Sequence, residues 1–422
     1  MSIGLSGAFG GQWAGARRVF AWAGLAAASL CGCAGSSGSS SSELPRGGHG
    51  GSGGVASTST KASVGTPLGE RIVVAIDAQL PQIELGPQVT LLESGALGLS
   101  YFPDEGTAVL RRKAPFRLLL VSATSTFSIE AESMESLRAG KAKEVLSPGA
   151  KGSFDNGYAG VSAVVEYAGT FYAFYHAEDQ EGLPGLAGGI PGFYASIGLA
   201  TSKDGVTFTK RGQVLTSSQP KTWQAYPNQG DRGAAEPGAV LSKDGRYIYL
   251  YYTEHSRVEG RAVDISMARA ELGAGDVGPG SFFKYRDGEF KEPGIGGKDS
   301  PVVTAKAFPS ANALEGHVTY SRALDRYLMV YGVDAYAERM NGAPPNHSGL
   351  YLAWSMDGVT WTSGIRLIAD QGVPQLGRSL SWEGTILWDD DAAKAGWLVY
   401  GYTPNWRTPP HFMVGRRLQL LE

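Results

Sequence analysis

The 422-residue chain has two cysteines, Cys31 and Cys33, and none beyond them. Everything after residue 33 must hold together without disulfides, and neither a thiol nucleophile nor a thiolate zinc site can be built there. Six histidines are scattered without a pair at zinc-ligand spacing. Outside a Gly/Ser-rich stretch there is no Gly-x-Ser-x-Gly elbow, and there is no phosphate-binding loop. Long basic tracts are absent and the formal net charge is −3 with both signs interspersed, so nucleic acid is not an expected partner. After residue 70 long amphipathic helical patterns are nearly absent, with 130–143 the best candidate. What is abundant is glycine, 60 residues, together with 19 tyrosines and 9 tryptophans, the composition of aromatic strands joined by tight turns.

The N-terminus reads as an address. Arg17 and Arg18 precede an apolar run, Val19 to Leu30, that is short for a membrane span. The run ends in Leu30-Cys31-Gly32-Cys33, which resembles a bacterial lipobox, and that resemblance makes Cys33 the lipidated first residue of the mature protein. Arg17-Arg18-Val19-Phe20 resembles a twin-arginine export signal, and ordinary Sec export stays open. Residues 34–66 are dominated by Ser and Gly and bury too little apolar surface to order, so they are expected to form a flexible tether. The expected organisation is a lipoprotein signal over 1–33, the tether over 34–66 and one globular body over 67–422. That places the body outside the cytoplasm, lipid-anchored to a bacterial membrane on its periplasmic side or at the cell surface. Contact with the membrane is through the lipid alone.

The body repeats. Five segments, at 106–124, 160–178, 237–255, 316–334 and 384–403, share a short apolar strand, a turn and a second strand rich in aromatic or aliphatic residues. Two of them continue into Ser202-Lys-Asp204-Gly205-Val-Thr-Phe208 and Ser355-Met-Asp357-Gly358-Val-Thr-Trp361, an Asp-Gly hairpin signal followed by another strand. Each unit thus offers about four strands, and five four-stranded antiparallel units predict an all-β, five-bladed β-propeller. Arg71 to Ile76 and Val89 to Leu92 are strand-like, and one of them is expected to pair with the last unit and close the ring.

Four of the five units carry a glutamate just before the first strand: Glu105, preceded by Asp104, then Glu236, Glu315 and Glu383. In a propeller the innermost strands surround a central channel, so acids far apart in sequence converge at one mouth. The second unit departs from the rule; its nearest upstream acid is Asp155. Clustered, buried carboxylates repel, and at least one must hold its proton more tightly. Glycoside hydrolysis needs that combination, one protonated acid and one ionised partner. The same glutamates can also brace the sheets by accepting backbone N–H groups.

With Glu236-Pro-Gly-Ala-Val-Leu-Ser-Lys-Asp-Gly-Arg-Tyr-Ile-Tyr-Leu-Tyr-Tyr252 and the two Ser-x-Asp-Gly-Val-Thr turns, the stretch 95–420 resembles the five-bladed propeller glycoside hydrolases. These are the arabinanase, β-xylosidase and arabinofuranosidase kind, related to invertases. The resemblance implies an inverting mechanism with Glu236 as acid, Glu105 or Asp104 as base and Asp155 as a tuning group if its loop folds inward. The chain departs from that pattern in having Glu rather than Asp at the base position, and Gly or Val where the tuning Asp is expected. His317 resembles a histidine that some of these enzymes place near a channel ion or water. No cofactor is expected beyond a structural ion that this position would admit.

Trp223, Tyr226 and Trp406 are candidate stacking platforms for a sugar face. Asp231, Arg232, Arg378 and Glu383 are candidate hydroxyl partners. The expected ligand is a poly- or oligosaccharide. The alternative is a non-catalytic propeller that binds carbohydrate or protein at the cell surface, since fold alone fixes no activity.

Overall fold

The computed structural model describes residues 69–421 apart from 79, 186–190, 223–230, 257–262, 309–310, 335–346, 371, 374–376 and 405–410. The expected signal and tether lie outside the described residues. So do the side chains of Asp231 and Arg378 and all of Trp223, Tyr226 and Trp406.

The described chain is nearly all β, with two single-turn 3₁₀ segments and, among the described residues, no helix long and apolar enough to cross a membrane. Pairing sorts the strands into antiparallel groups. Sheet one runs Ala108–Arg111, Phe116–Ser122, Ser125–Ala131, Lys141–Leu146. Sheet two runs Tyr158–Tyr167, Thr170–Asp179, Phe193–Ser202, Thr209–Thr216. Sheet three begins Asp231–Leu241, Tyr247–Glu254, Asp264–Glu271, Phe282–Arg286. Sheet four runs Asn312–Ser321, Arg326–Asp334, Gly349–Ser355, Ile365–Ala369. Sheet five runs Leu380–Trp388, Ala395–Thr403, Phe412–Leu421, and is completed by the early strand Gln82–Leu92, which pairs with Phe412–Leu421. The closure expected of the 70–96 region is therefore made by its second half, and it covers an edge that would otherwise be open.

A buried apolar layer fills every boundary between neighbouring sheets. Leu119, Val161 and Tyr175 join sheets one and two; Phe174, Leu199 and Leu250 join two and three; Tyr251, Met267 and Met329 join three and four. Val330, Leu350 and Leu398 join four and five, and Leu118, Leu387 and Val399 join five back to one. The last layer closes the circle, which makes the fold a β-propeller. A channel cavity of about 1100 Å³ is lined by all the innermost strands, including Thr107, Ser162, Gly238, His317 and Thr385. Where these strands approach most closely there is no room for a side chain: a Cβ on Gly238 would lie 2.1 Å from the Gly316 carbonyl oxygen.

The Ser-x-Asp-Gly hairpins form by the same contacts in both places. Asp357 Oδ1 accepts the amides of Val359 and Thr360, each at 2.8 Å, and Ser355 Oγ accepts the amide of Gly358 at 2.9 Å. Gly358 has φ +77°, which a Cβ would disfavour.

The segment 130–143, the best helical candidate by pattern, lies where the repeat plan calls for outer strands of the first unit, and it is a 3₁₀ turn at Leu137–Ala139 followed by the outer strand Lys141–Leu146. That strand is largely solvent-facing, so its charged residues carry no β signal; pairing with Ser125–Ala131 decides its conformation.

Candidate active site

Three glutamates reach the channel mouth by one local device. In sheets three, four and five the first strand is interrupted by a β-bulge, between Ala235 and Gly238, Leu314 and His317, and Trp382 and Thr385. Each bulge holds a glutamate with positive φ: Glu236 at +53°, Glu315 at +57° and Glu383 at +53°. A non-glycine residue in this region costs on the order of 1 kcal/mol or more, and bulges re-aim side chains. Here they turn successive glutamates toward one another. One carboxylate oxygen from each of the three falls within 4.8 Å of the others.

The sheets are linked through these residues. Glu236 Oε2 accepts the backbone N–H of Glu315 at 3.2 Å, and Glu315 Oε2 accepts that of Glu383 at 3.0 Å. Glu383 Oε2 in turn meets His317 Nε2 at 2.5 Å. Sheets one and two continue the mouth without the glutamate bulge. Glu105 Oε1 lies 2.6 Å from His176 Nδ1 and accepts the Tyr158 hydroxyl at 3.3 Å, which also reaches Asp104 Oδ2 at 3.2 Å. His176 Nε2 is 3.8 Å from Glu178, and His255 Nε2 is 3.4 Å from Glu236 Oε1.

Environment drives the protonation states apart. Burial penalises the charge on Glu236, but the His255 imidazole beside it, the Thr253 hydroxyl and the charge of His176 outweigh that penalty and bring its pKa down to about 2. Burial, then the charge of Glu236, pushes Glu315 well above the usual carboxylate range. Burial, then Glu315, Glu105, Glu236 and Asp104, does the same to Glu383. Burial lowers His317 to about 4, so its imidazole is neutral at pH 7. Glu315 is the more exposed of the two protonated acids; Glu383 is 4% exposed.

The expected site residues divide accordingly. Asp104, Glu105, Glu236 and Glu383 gather at the mouth, joined by Glu315. Asp155 does not join them: it is buried, paired with Lys210 Nζ at 2.5 Å, and accepts the hydroxyls of Ser153 and Tyr175 at 2.7 and 3.2 Å. Tyr175 and His176 are neighbours on one strand and point to opposite faces, so Asp155 lies on the face away from Glu105. Arg232 is buried, donates to the Lys221 carbonyl at 3.2 Å, and has its pKa lowered by burial. Sequence reasoning passed over His176, Glu178, Tyr158 and the role of His255. Three of the four stand at the ends of second strands, and the signal that could have found them is their position: an antiparallel second strand returns to the mouth where the first begins.

No protein-family model matches the chain, and no curated protein matches it by sequence. Solved structures do. An α-L-arabinofuranosidase from Lactobacillus brevis aligns at 10% identity and TM-score 0.48, over 75% of this chain and 90% of its own. A family 117 glycoside hydrolase from the marine bacterium Zobellia galactanivorans aligns at 13% and 0.48, over 81% and 90%. An exo-1,5-α-L-arabinanase from a bovine ruminal metagenomic library aligns at 13% and 0.45, over 75% and 93%. The chain is similar in fold to these glycoside hydrolases.

Proposed function

We infer that this protein is a hydrolase of glycosidic bonds in a poly- or oligosaccharide, built on a five-bladed propeller. The carrying observation is the gathering of Glu236 and Glu315, with Glu383, so that one carboxylate oxygen of each lies within 4.8 Å of the others, in surroundings that lower the pKa of Glu236 and raise that of Glu315. Neighbouring acids with opposed pKa shifts mark an acid and its charged partner. This assignment moves the acid role from Glu236, where the resemblance put it, to Glu315. A carboxyl that releases its proton near pH 2 has none to give at neutral pH, whereas Glu315 keeps its proton and is the more exposed. Glu315 then protonates the leaving oxygen, Glu236 stabilises the developing positive charge on the sugar, and Glu105, with Asp104 beside it, activates water. That course inverts the anomeric centre and calls for an acid-to-base separation of about 6.5–9.5 Å. Residues 1–33 supply export and the Cys33 lipid, and 34–66 the tether that holds the propeller outside the membrane.

A second reading has its own support. Because Glu236 and Glu315 each accept the next sheet's backbone N–H, the acids also serve as braces, which suits a non-catalytic propeller binding carbohydrate or protein at the cell surface. Sugar release from a panel of polysaccharides, by wild type and Glu315→Gln, separates the two. Hydrolysis predicts release that Glu315→Gln abolishes. Retention of a glycan on the protein with no release from any member of the panel supports the binder, and equal release by both proteins removes Glu315 from the mechanism.

A further inference from the structure

We propose that His176 is the positioning residue of the base: from the second strand of sheet two it holds the Glu105 carboxyl beside Asp104 and pairs with its charge. The proposal rests on the hydrolytic reading, in which Glu105 and Asp104 activate water, and names the group that keeps them fit to do so.

Sheet two brings no glutamate to the head of its first strand. Gly160 stands there, and the ring of Tyr158 fills the place: a Cβ on Gly160 would lie 2.6 Å from Tyr158 Cε1 and 2.7 Å from its hydroxyl oxygen. The space that glycine leaves brings the Tyr158 hydroxyl within 3.3 Å of Glu105 Oε1 and 3.2 Å of Asp104 Oδ2. His176, the cross-strand partner of Gly160, adds its Nδ1 at 2.6 Å from the same Glu105 oxygen. Glu236 and Glu315 accept backbone amides of the next sheet, whereas Glu105 is met by two side chains of the next sheet.

The imidazole is held as a positioning group must be. His176 is buried, with the Tyr158 ring edge-on at 5.1 Å and the Phe193 ring tilted at 6.1 Å. Glu178 is fully buried beside it, with Oε1 3.8 Å from His176 Nε2, and Glu178 Oε2 accepts Gln180 Nε2 at 2.8 Å. His176, Glu178 and Gln180 are alternate residues of one strand end and share a face. This line of contacts fixes the ring with Nδ1 toward Glu105.

A carboxylate only accepts, so Nδ1 carries a hydrogen and donates it. That donor opposes the surroundings. Asp104 adjoins Glu105, and Glu315 and Glu383 both feel its charge. Crowded acids favour the protonated form, and a protonated carboxyl takes nothing from water. The pair is open to solvent on the side of Asp104, which is half-buried, while Glu105 is 2% exposed and its protein neighbours decide its charge. His255 stands in the same relation to Glu236, the other carboxylate that the reaction needs ionised.

Carbon-13 titration of the Glu105 carboxyl, assigned with Glu105→Gln, tests the pairing without substrate. In His176→Ala the proton affinity of Glu105 should rise at least about tenfold, and in His176→Asn, which returns a neutral N–H donor, by less. In hydrolysis the acid limb of kcat/KM should move to higher pH in the same order. At neutral pH kcat of His176→Ala should fall about 10- to 100-fold while KM stays within about threefold of wild type. On the wild type itself, nitrogen-15 shifts should show a hydrogen on His176 Nδ1 from pH 5 to 8. A Glu105 titration unmoved in both variants, a loss of kcat with the acid limb in place, or a bare Nδ1 in the wild type would overturn the proposal. A Glu105 titration that moves as stated, in a protein that hydrolyses no polysaccharide, would remove the hydrolytic reading and leave His176 as the partner of Glu105.

Discussion

The backbone amide of Glu315 donates to the side chain of Glu236, 3.2 Å away in the neighbouring sheet. One contact thus links a brace between sheets to the electrostatics of the mouth. The bond holds the Glu315 main chain, and burial, reinforced by the charge that accepts the bond, holds a proton on the Glu315 side chain.

Replacing Glu236 by Gln therefore separates the two roles. The amide oxygen still accepts the Glu315 N–H, so the melting temperature should change little. The negative charge is lost, so Glu315 releases its proton more easily. The basic limb of the pH–rate profile should move to lower pH and kcat should fall about 10²- to 10⁴-fold. Steady-state kinetics across pH check both.

The propeller was legible because its signals are local. Repeated hairpins such as Ser355-Met-Asp357-Gly358 set strand ends through their own side chains, and the early strand gave its partner away by completing a sheet. The αL bulges at Glu236, Glu315 and Glu383 were not legible, since glutamate has no preference for positive φ and the neighbouring strands impose it. Asp155 was ambiguous for a related reason. Its partner Lys210 lies 55 positions on, in an outer strand, and only the folded sheet decides which face receives the acid.

That pairing makes a prediction of its own. Lys210→Met leaves the buried Asp155 carboxylate without its cation, and losing one partner of a buried pair is costly. Lys210 is partly exposed, which reduces the effect to about 2 kcal/mol. Urea unfolding should show this loss while kcat stays near the wild-type value. A large fall in kcat at unchanged stability would return Asp155 to the chemistry.

Stability should fall as the solution becomes alkaline. Glu254 is buried, and burial, then the charge of Asp299, raises its pKa to about 7. A raised carboxyl binds its proton more tightly folded than unfolded, so its contribution is complete below about pH 4.5 and lost as pH rises to 7 and beyond. The size is on the order of 3 kcal/mol. Glu315 and Glu383 act with the same sign, and the buried His317 and His411, whose pKa values burial lowers to about 4, oppose them only below about pH 6.5. Thermal melts from pH 5 to 8 should show a declining midpoint, and Glu254→Gln should flatten the decline.

Gly238→Ala tests the close approach of the inner strands. The added Cβ would lie 2.1 Å from the Gly316 carbonyl oxygen, a backbone atom that cannot rotate away. Sheets three and four would have to part, at about 3 kcal/mol. Denaturant unfolding measures the loss, and Gly280→Ala, at a site with no atom within 4 Å, should cost only the strain of its +85° φ.

Carbon-13 titration of glutamate carboxyls, followed from pH 2 to 8 with Glu236→Gln, Glu315→Gln and Glu383→Gln used to assign the signals, reads the protonation of the mouth residue by residue. Glu236 should stay ionised down to about pH 2, while Glu315 and Glu383 hold their protons well above the usual glutamate range. Three signals titrating together near the ordinary glutamate value would contradict the division of labour from which the hydrolytic chemistry is derived.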